Sequence, residues 1–452
     1  MDLFEEKTNS GLKGSSQNIK DFFDTDYVAY ASYDNLRKIA SLVDGLKNSG
    51  RKTIFTILED KITQEKKVAN LSSQISMKTQ YLHGETSLDS VIVNLARDYV
   101  GTNNINMLYP EGSFGTRFIP EPSASRYIYS HSQKYLRDIF KQEDDAILET
   151  QEFEGDKIEY KFYVPTLPML LVNGSEGVSS GFAQKILPRN PKELKEIIIN
   201  FLNDNELPAK IKPFYKGFDG KIISTNGSHI IQGVFKRVTN TRLTITELPI
   251  GYNRKSYIKV LNGLVDKKVI KNFKDLSNPK TDKFQFEIQV EMKWKDFSDD
   301  DILKKLKLTK SVTENYTVLD EENTVQVCED EIDILLKYIN VKMRFLIKRK
   351  EKIITDFNQR LTNLKRLRKF VSLIVSEDIV IFKKSRDEIN TQMELNGFSD
   401  FDDLLRMGIN NFSEDKIKDL DESIQNIETE LKIVTEKTPE QFWIEDLQSI
   451  KL

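Results

Sequence analysis

The sequence predicts a multidomain α/β (α+β) fold ending in a long antiparallel coiled coil, and three observations predict it. Helical patterns such as "NIKDFFDTDYVAYASYDNLRKIASLV" and "SLDSVIVNLARDYV" occupy the chain from Ile19 to about Thr150. From about Tyr160 to Val327 the pattern changes to short β-branched and aromatic runs, "SHIIQGVFKRV", "RLTITELPI" and "FQFEIQVEM", broken by glycine, asparagine and proline. Between Asp415 and Glu436, Ile417, Leu420, Ile424, Ile427, Leu431 and Val434 recur at alternating spacings of three and four, with charged residues between them.

Taken in order, residues 1–18 are polar and contain glycine and serine, and read as a mobile tail. Residues 19–158 form a first domain of helices and short loops, and residues 159–328 a mixed α/β domain. In "SDDDILKKLKL", Asp299 and Asp301 formally make a metal-binding pair. Ser298 stands three residues before Asp301 and an apolar-periodic run follows, so a helix N-cap with acid in its first turn is the better reading. The heptad helix needs a partner, and the helix from about Glu331 to Lys369 offers Ile354, Phe357, Leu361 and Leu364 at the same spacing. At 1.5 Å per residue that helix is about 60 Å long, more than one small core can cover. Residues 329–438 are thus an antiparallel coiled coil with a helical cap, "FSDFDDLLRMGINNF", at a tip near 376–412, and residues 439–452 a last helix packing back.

Composition narrows the function classes. The 452 residues are 38% hydrophobic and 30% charged, enough for several domains with their own cores. No apolar run is long enough to span a bilayer, and "MDLFEEKTNSGLKGSSQ" lacks the basic-then-apolar order of a signal peptide, so the expected location is the cytoplasm, without membrane contact. One cysteine, Cys328, and three histidines leave no material for a disulfide or a Cys/His metal centre. A net charge of −3 does not announce a nucleic-acid binder, but phosphate binding depends on local clusters of lysine and arginine.

Three loops carry the polar and charged groups that matter. "DGLKNSGRKT" holds Gly45, Gly50, Arg51 and Lys52. It departs from a phosphate-binding P-loop by one inserted residue before the lysine, and reads as a basic helix start that grips a phosphate backbone. "YLHGET" carries His83 just before a helical run. "SASRYIYSHSQKY" sets Arg126 directly before Tyr127. From composition alone this last segment is either an amphipathic helix or a tyrosine nucleophile beside its electrostatic partner.

The residues carry a resemblance that bears on this choice. "NLRKIASLVDGLKNSGRK", "YLHGE", "NNINMLYPEGSFGTR", "ASRYIY", "YVPTLPMLLVNGSEGVSSG", "FYKGFDGKI", "ITELPI" and "TPEQFWIEDL" follow the order and spacing of the DNA-cleavage region of type IIA DNA topoisomerases. The wording resembles the eukaryotic and viral branch more than gyrase. Neither an ATP-binding signature nor the acidic motifs of a TOPRIM domain is found. The chain therefore resembles most the separate cleavage (A-type) subunit of T-even-like bacteriophage topoisomerases, the medium subunit, which would act in the bacterial host cytoplasm.

The resemblance implies a winged-helix cleavage domain, a mixed α/β tower domain and a coiled coil ending in a helical C-gate. It implies that Tyr127 is the nucleophile, with Arg126 beside it, and that His83 and Arg37 are active-site groups. Arg51, Lys52 and Lys47 become DNA-binding residues, and Val178 an aliphatic wedge that enters a base step and bends the duplex. Double-stranded DNA is the substrate, a second copy of the chain the dimer partner through the C-gate, and a TOPRIM/ATPase large subunit the partner that binds Mg2+ and ATP. No metal site is implied in this chain. Three departures stand out: "KNSGRK" lacks the usual proline after the lysine, Leu82 replaces a second histidine, and Val178 replaces isoleucine.

The chemistry suits these residue types. A phenol, with an unperturbed pKa of about 10, is a poor nucleophile at neutral pH. An adjacent guanidinium favours the phenolate and can hold two phosphate oxygens in its planar fork, and a histidine can donate to a non-bridging oxygen or assist proton transfer. Tyr129 and Tyr135 read as packing residues. Two other classes remain open on the sequence: a tyrosine recombinase-like enzyme, and a non-enzymatic coiled-coil DNA-organising protein.

Overall fold

The structure, a computed structural model, describes residues 18–225, 227–399 and 401–451, in two compact units, one of residues up to 342 together with 446–451 and one of residues 343–445. The tail expected over residues 1–18 lies outside the described residues, apart from Asn18. The whole is a mixture of helices and small antiparallel sheets, the fold class the sequence predicts.

In the first unit three helices, Asn48–Glu59, Val68–Lys78 and Glu85–Ala96, accompany a three-stranded antiparallel sheet in the order Lys66–Lys67, Tyr129–Ser132, Leu108–Glu111. This is a winged-helix arrangement. Leu71 and Ile75, and Leu88, Ile92 and Ala96, recur every fourth residue and are fully buried, so each helix turns one stripe to the core. The helix Asn48–Glu59 is buried from Gly50 to Leu58 and forms its centre. Lys66 pairs with Ser130 and Leu108 with Ser132, which fixes the central strand and places Tyr127 just ahead of it.

Further along, a four-stranded antiparallel sheet runs in the order Val234–Thr239, Arg242–Glu247, Phe286–Gln289, Asn272–Asp275. Leu243, Ile245, Phe286 and Ile288 alternate onto one face and are buried with Tyr257, Leu261 and Leu264 of the helix Arg254–Asp266. The Ser298 side chain accepts from the Asp301 N–H at 3.2 Å and caps the helix Asp299–Lys305. The segment with the formal metal pair is therefore a capped helix start, as its spacing predicted.

The long helix runs Glu331–Val375, 45 residues and six beyond the expected end. Asp330 starts it by accepting from the N–H groups of Ile332 and Asp333, both at 2.9 Å. Within the second unit it lies antiparallel to the helix Glu414–Glu436. Lys350 reaches the Thr435 and Lys437 carbonyls, Lys365 pairs with Glu428, and Arg368 with Asp421. From Ile417 to Glu436 the six heptad residues are the only ones not exposed, which is the buried seam the spacing predicted. A basic helix facing an acidic one fixes the register. The tip has its own core of Phe370, Ile379, Met393, Phe398 and Leu404.

Candidate functional site

Tyr127 sits at the end of a turn in which its N–H donates to the Ala124 carbonyl at 2.9 Å, and the next carbonyl, of Ile128, accepts from Val68 at 3.0 Å. Ile128 is buried while Tyr127 is 68% exposed, so the wing anchors the backbone and turns the phenol outward. Among the described residues its hydroxyl makes no hydrogen bond. The Arg126 guanidinium carbon lies 5.2 Å from the centre of the Tyr127 ring, and Arg126 is exposed as well. Such a stacked cation holds positive charge beside the phenol without consuming it in an ion pair. Tyr135, by contrast, donates to the Asn106 carbonyl at 2.7 Å and is pushed up to about 12 by burial, in keeping with a packing role.

A second group assembles at a cavity of about 320 Å³ whose walls include Tyr33, Arg37, Arg51, Lys52, Tyr81 and His83. Arg37 stands in the last turn of the helix Val28–Lys38, is exposed and has no ion pair among the described residues. Burial, then the charge of Arg37, holds the His83 imidazole below its usual pKa, so that the ring is neutral at pH 7. Tyr127 and Arg126 do not line this cavity.

Arg51 and Lys52 have a different occupation from the one expected. Arg51 is 5% exposed and grips Asp44 with Nε at 2.7 Å and Nη2 at 3.2 Å. Lys52 is 8% exposed and donates to the Thr79 carbonyl at 2.7 Å and to Glu159 at 2.8 Å. Both cations are spent inside the fold. A solvent-facing grip on a phosphate backbone would need these pairs to break, and a broken buried pair costs about 3–5 kcal/mol. Lys47 is likewise tied, through Nζ to the Glu176 carbonyl at 2.7 Å, and burial lowers its pKa.

Val178 stands on the hairpin formed by strands Ser175–Val178 and Ala183–Ile186, and is 72% exposed. The hairpin is clamped to the helix that carries Arg37. Asp34 accepts from the Ser180 N–H at 2.8 Å and hydroxyl at 3.0 Å, and Ser179 donates to the Asn35 side chain at 2.6 Å. Lys38, then Ser180, hold the Asp34 carboxyl below its ordinary range. A Cβ on Gly177 would fall 2.0 Å from the Lys38 carbonyl oxygen, so only glycine allows this approach. Gly177→Ala is expected to cost about 1–3 kcal/mol and to lift the hairpin, read as faster hydrogen exchange at Ser180. An unchanged exchange rate would show that the clamp does not hold Val178. Asp34, Asn35, Asp44, Glu159 and Tyr33 were not singled out from sequence; only Asp44, seven residues before Arg51 in the same motif, gave a local signal.

Residues 37–448 match the family described as the A-type subunit of DNA gyrase/topoisomerase IV. The chain belongs to this family. It is 32% identical over 447 residues to the mitochondrial DNA topoisomerase 2 of Dictyostelium discoideum, covering 95% of this chain and 35% of that protein. It is 31% identical over 391 residues to DNA topoisomerase 2 of Arabidopsis thaliana, covering 84% of this chain and 26% of that protein. Among solved structures, the Plasmodium falciparum topoisomerase II DNA-binding, cleavage and re-ligation domain superposes with a TM-score of 0.85 at 30% identity, over 95% of this chain and 63% of that one. The chain thus spans about a third or less of these curated relatives, and within the gyrase/topoisomerase IV family it corresponds to a DNA-cleavage region homologous to eukaryotic topoisomerase 2.

Proposed function

We propose that this chain is the DNA breakage-reunion part of an ATP-dependent type IIA topoisomerase and that Tyr127 is its nucleophile. The observation that carries the proposal is the pair Arg126 and Tyr127, both exposed on an anchored turn of the winged-helix domain, with the guanidinium 5.2 Å from the phenol ring. In the reaction, the Tyr127 oxygen attacks a DNA phosphorus and the phenol gives up its proton. The P–O3′ bond breaks, the released 3′ oxygen takes up a proton, and the 5′ end remains as a phosphotyrosine ester. Religation reverses each change. Arg126 favours the phenolate and meets the charge that develops on the phosphate, Arg37 and His83 hold the phosphate backbone, and Val178 enters a base step to bend the duplex.

Among the described residues no three His, Cys, Asp or Glu side chains converge. We assign Mg2+ and ATP to a TOPRIM/ATPase partner subunit, with this chain as a counterpart of the medium subunit of T-even-like bacteriophage topoisomerases acting in the host cytoplasm. The test mixes the chain with such a partner, plasmid DNA and Mg2+, quenches with detergent and looks for protein on 5′ ends. Adducts that require the partner support the assignment. Adducts formed by this chain alone without metal would replace it with a recombinase-like reaction.

Two copies are needed to cut two strands. The tip exposes Val380 at 41%, Phe382 at 75% and Leu395 at 82%, a set of apolar side chains suited to a second copy as an exit gate. Phe382→Asp with Leu395→Asp is expected to convert a dimer into a monomer in sedimentation at low micromolar concentration. A dimer that survives both changes would place the dimer contact elsewhere.

A further inference from the structure

His83 is held through one ring nitrogen. Its Nε2 lies 2.5 Å from the hydroxyl of Tyr33. Tyr81 packs against the imidazole in a T-shaped arrangement, with ring centres 5.3 Å apart, and is itself fixed by a 3.1 Å hydrogen bond to Ser87. The Tyr33 ring also lies under the Arg37 guanidinium, 5.8 Å from its centre. Tyr33 and Arg37 are one turn apart on the helix Val28–Lys38, so the helix aligns them. His83 reaches them across 50 residues of sequence. Leu82, which precedes it, is 70% exposed and has no polar side-chain atom to offer, so the tether on the imidazole comes from the neighbouring helix.

A phenol is a better donor than acceptor, and a neutral imidazole has one donor and one acceptor. His83 is neutral here because burial and Arg37 disfavour its charged form. We propose that Tyr33 is the positioning residue of His83: its hydroxyl donates to Nε2, fixes the proton on Nδ1 and leaves Nδ1–H as the one donor the ring can offer a DNA phosphate oxygen. The same ring, beneath Arg37, sets the second phosphate-facing group, so one side chain orients both. The proposal rests on the reading of His83 as a group that faces DNA. Fixing the tautomer of a working histidine through its other nitrogen is the usual means of orienting it.

The test uses the full chain labelled with 15N-histidine, in which three histidines give resolvable signals and His83→Gln assigns the one that matters. The parent chain is expected to show a single Nδ1–H tautomer at His83. Tyr33→Phe, which keeps the ring beneath Arg37, is expected to show both tautomers. A ring protonated at Nε2, or an unchanged spectrum in Tyr33→Phe, overturns the proposal. In covalent adduct formation with the TOPRIM-bearing partner, Tyr33→Phe is expected to be about 10- to 100-fold slower. Tyr33→Phe combined with His83→Gln is expected to be no slower than His83→Gln alone, and an additive loss overturns action through His83. Wild-type cleavage by His83→Gln would instead overturn the reading of His83, with the tautomer spectrum still deciding whether Tyr33 tethers the ring.

Discussion

Tyr127→Phe is expected to abolish covalent protein–DNA adducts while leaving thermal stability and duplex binding unchanged. The stability half follows from the geometry: the phenol is 68% exposed and its hydroxyl has no hydrogen-bond partner among the described residues, so removing one oxygen orphans nothing. The ring stays beside Arg126, because phenylalanine keeps the face that the guanidinium covers. The activity half follows from covalent catalysis. With no oxygen to bond to phosphorus there is no intermediate, and removal of an enzyme's nucleophile costs on the order of a million-fold in rate. Arg126→Lys keeps the charge and loses the planar fork, and is expected to form adducts at a reduced level. The measurement is a detergent-quenched cleavage assay beside a thermal melt of each variant. Adducts at the parent level in Tyr127→Phe would remove Tyr127 from the chemistry, and a lowered melting temperature would show that the hydroxyl has a structural partner after all.

What could be read ahead of the fold, and what could not, divides by sequence distance. The coiled coil was legible because its pattern is local: six apolar residues at heptad spacing, all turned inward, with basic and acidic helices to match. The Ser298 cap was legible for the same reason. Arg51 and Lys52 show where local reading ends. Two cations at a helix start look like a phosphate grip, and nothing nearby reveals that Glu159, 107 residues on, neutralises Lys52. The clamp of Asp34 and Asn35 on the Val178 hairpin spans more than 140 residues and leaves no periodic trace. Residues whose partners lie far along the chain carry no pattern; they become visible only when folding brings those partners together.

Arg189→Ala is expected to lower the stability of the first unit by about 3–5 kcal/mol, a larger effect than any other single change considered for the fold. Arg189 is fully buried and meets Glu314 with two parallel bonds, Nη1 at 3.0 Å and Nη2 at 2.8 Å, while Nε donates to the Ile211 carbonyl at 2.8 Å. Glu314 also accepts from the Leu187 N–H at 2.6 Å, the Tyr316 hydroxyl at 2.9 Å and, across a 2.8 Å contact, faces His229. Tyr316 reaches on to Glu331, the first residue of the long helix, at 3.1 Å. The network therefore joins the strand Ser228–Gln232, the segment around Glu314 and the start of that helix. Removing the guanidinium leaves a buried carboxylate without its countercharge. Burial alone would raise the Glu314 pKa, but Arg189 and the Leu187 and Tyr316 donors outweigh it and hold the carboxyl below its ordinary value of 4.5. A depressed folded-state pKa contributes stability above the unfolded value, and that contribution is lost as pH falls through the folded one. The parent chain should thus keep this contribution at pH 5 and lose it only in stronger acid. In Arg189→Ala burial is no longer offset by the guanidinium and the carboxyl rises, so protonation relieves the stranded carboxylate and the stability deficit of the variant relative to the parent should shrink as pH falls. Melting curves of both chains between pH 7 and pH 4 decide the matter: parallel curves would mean that Glu314 is held by its neutral donors and that Arg189 contributes packing alone.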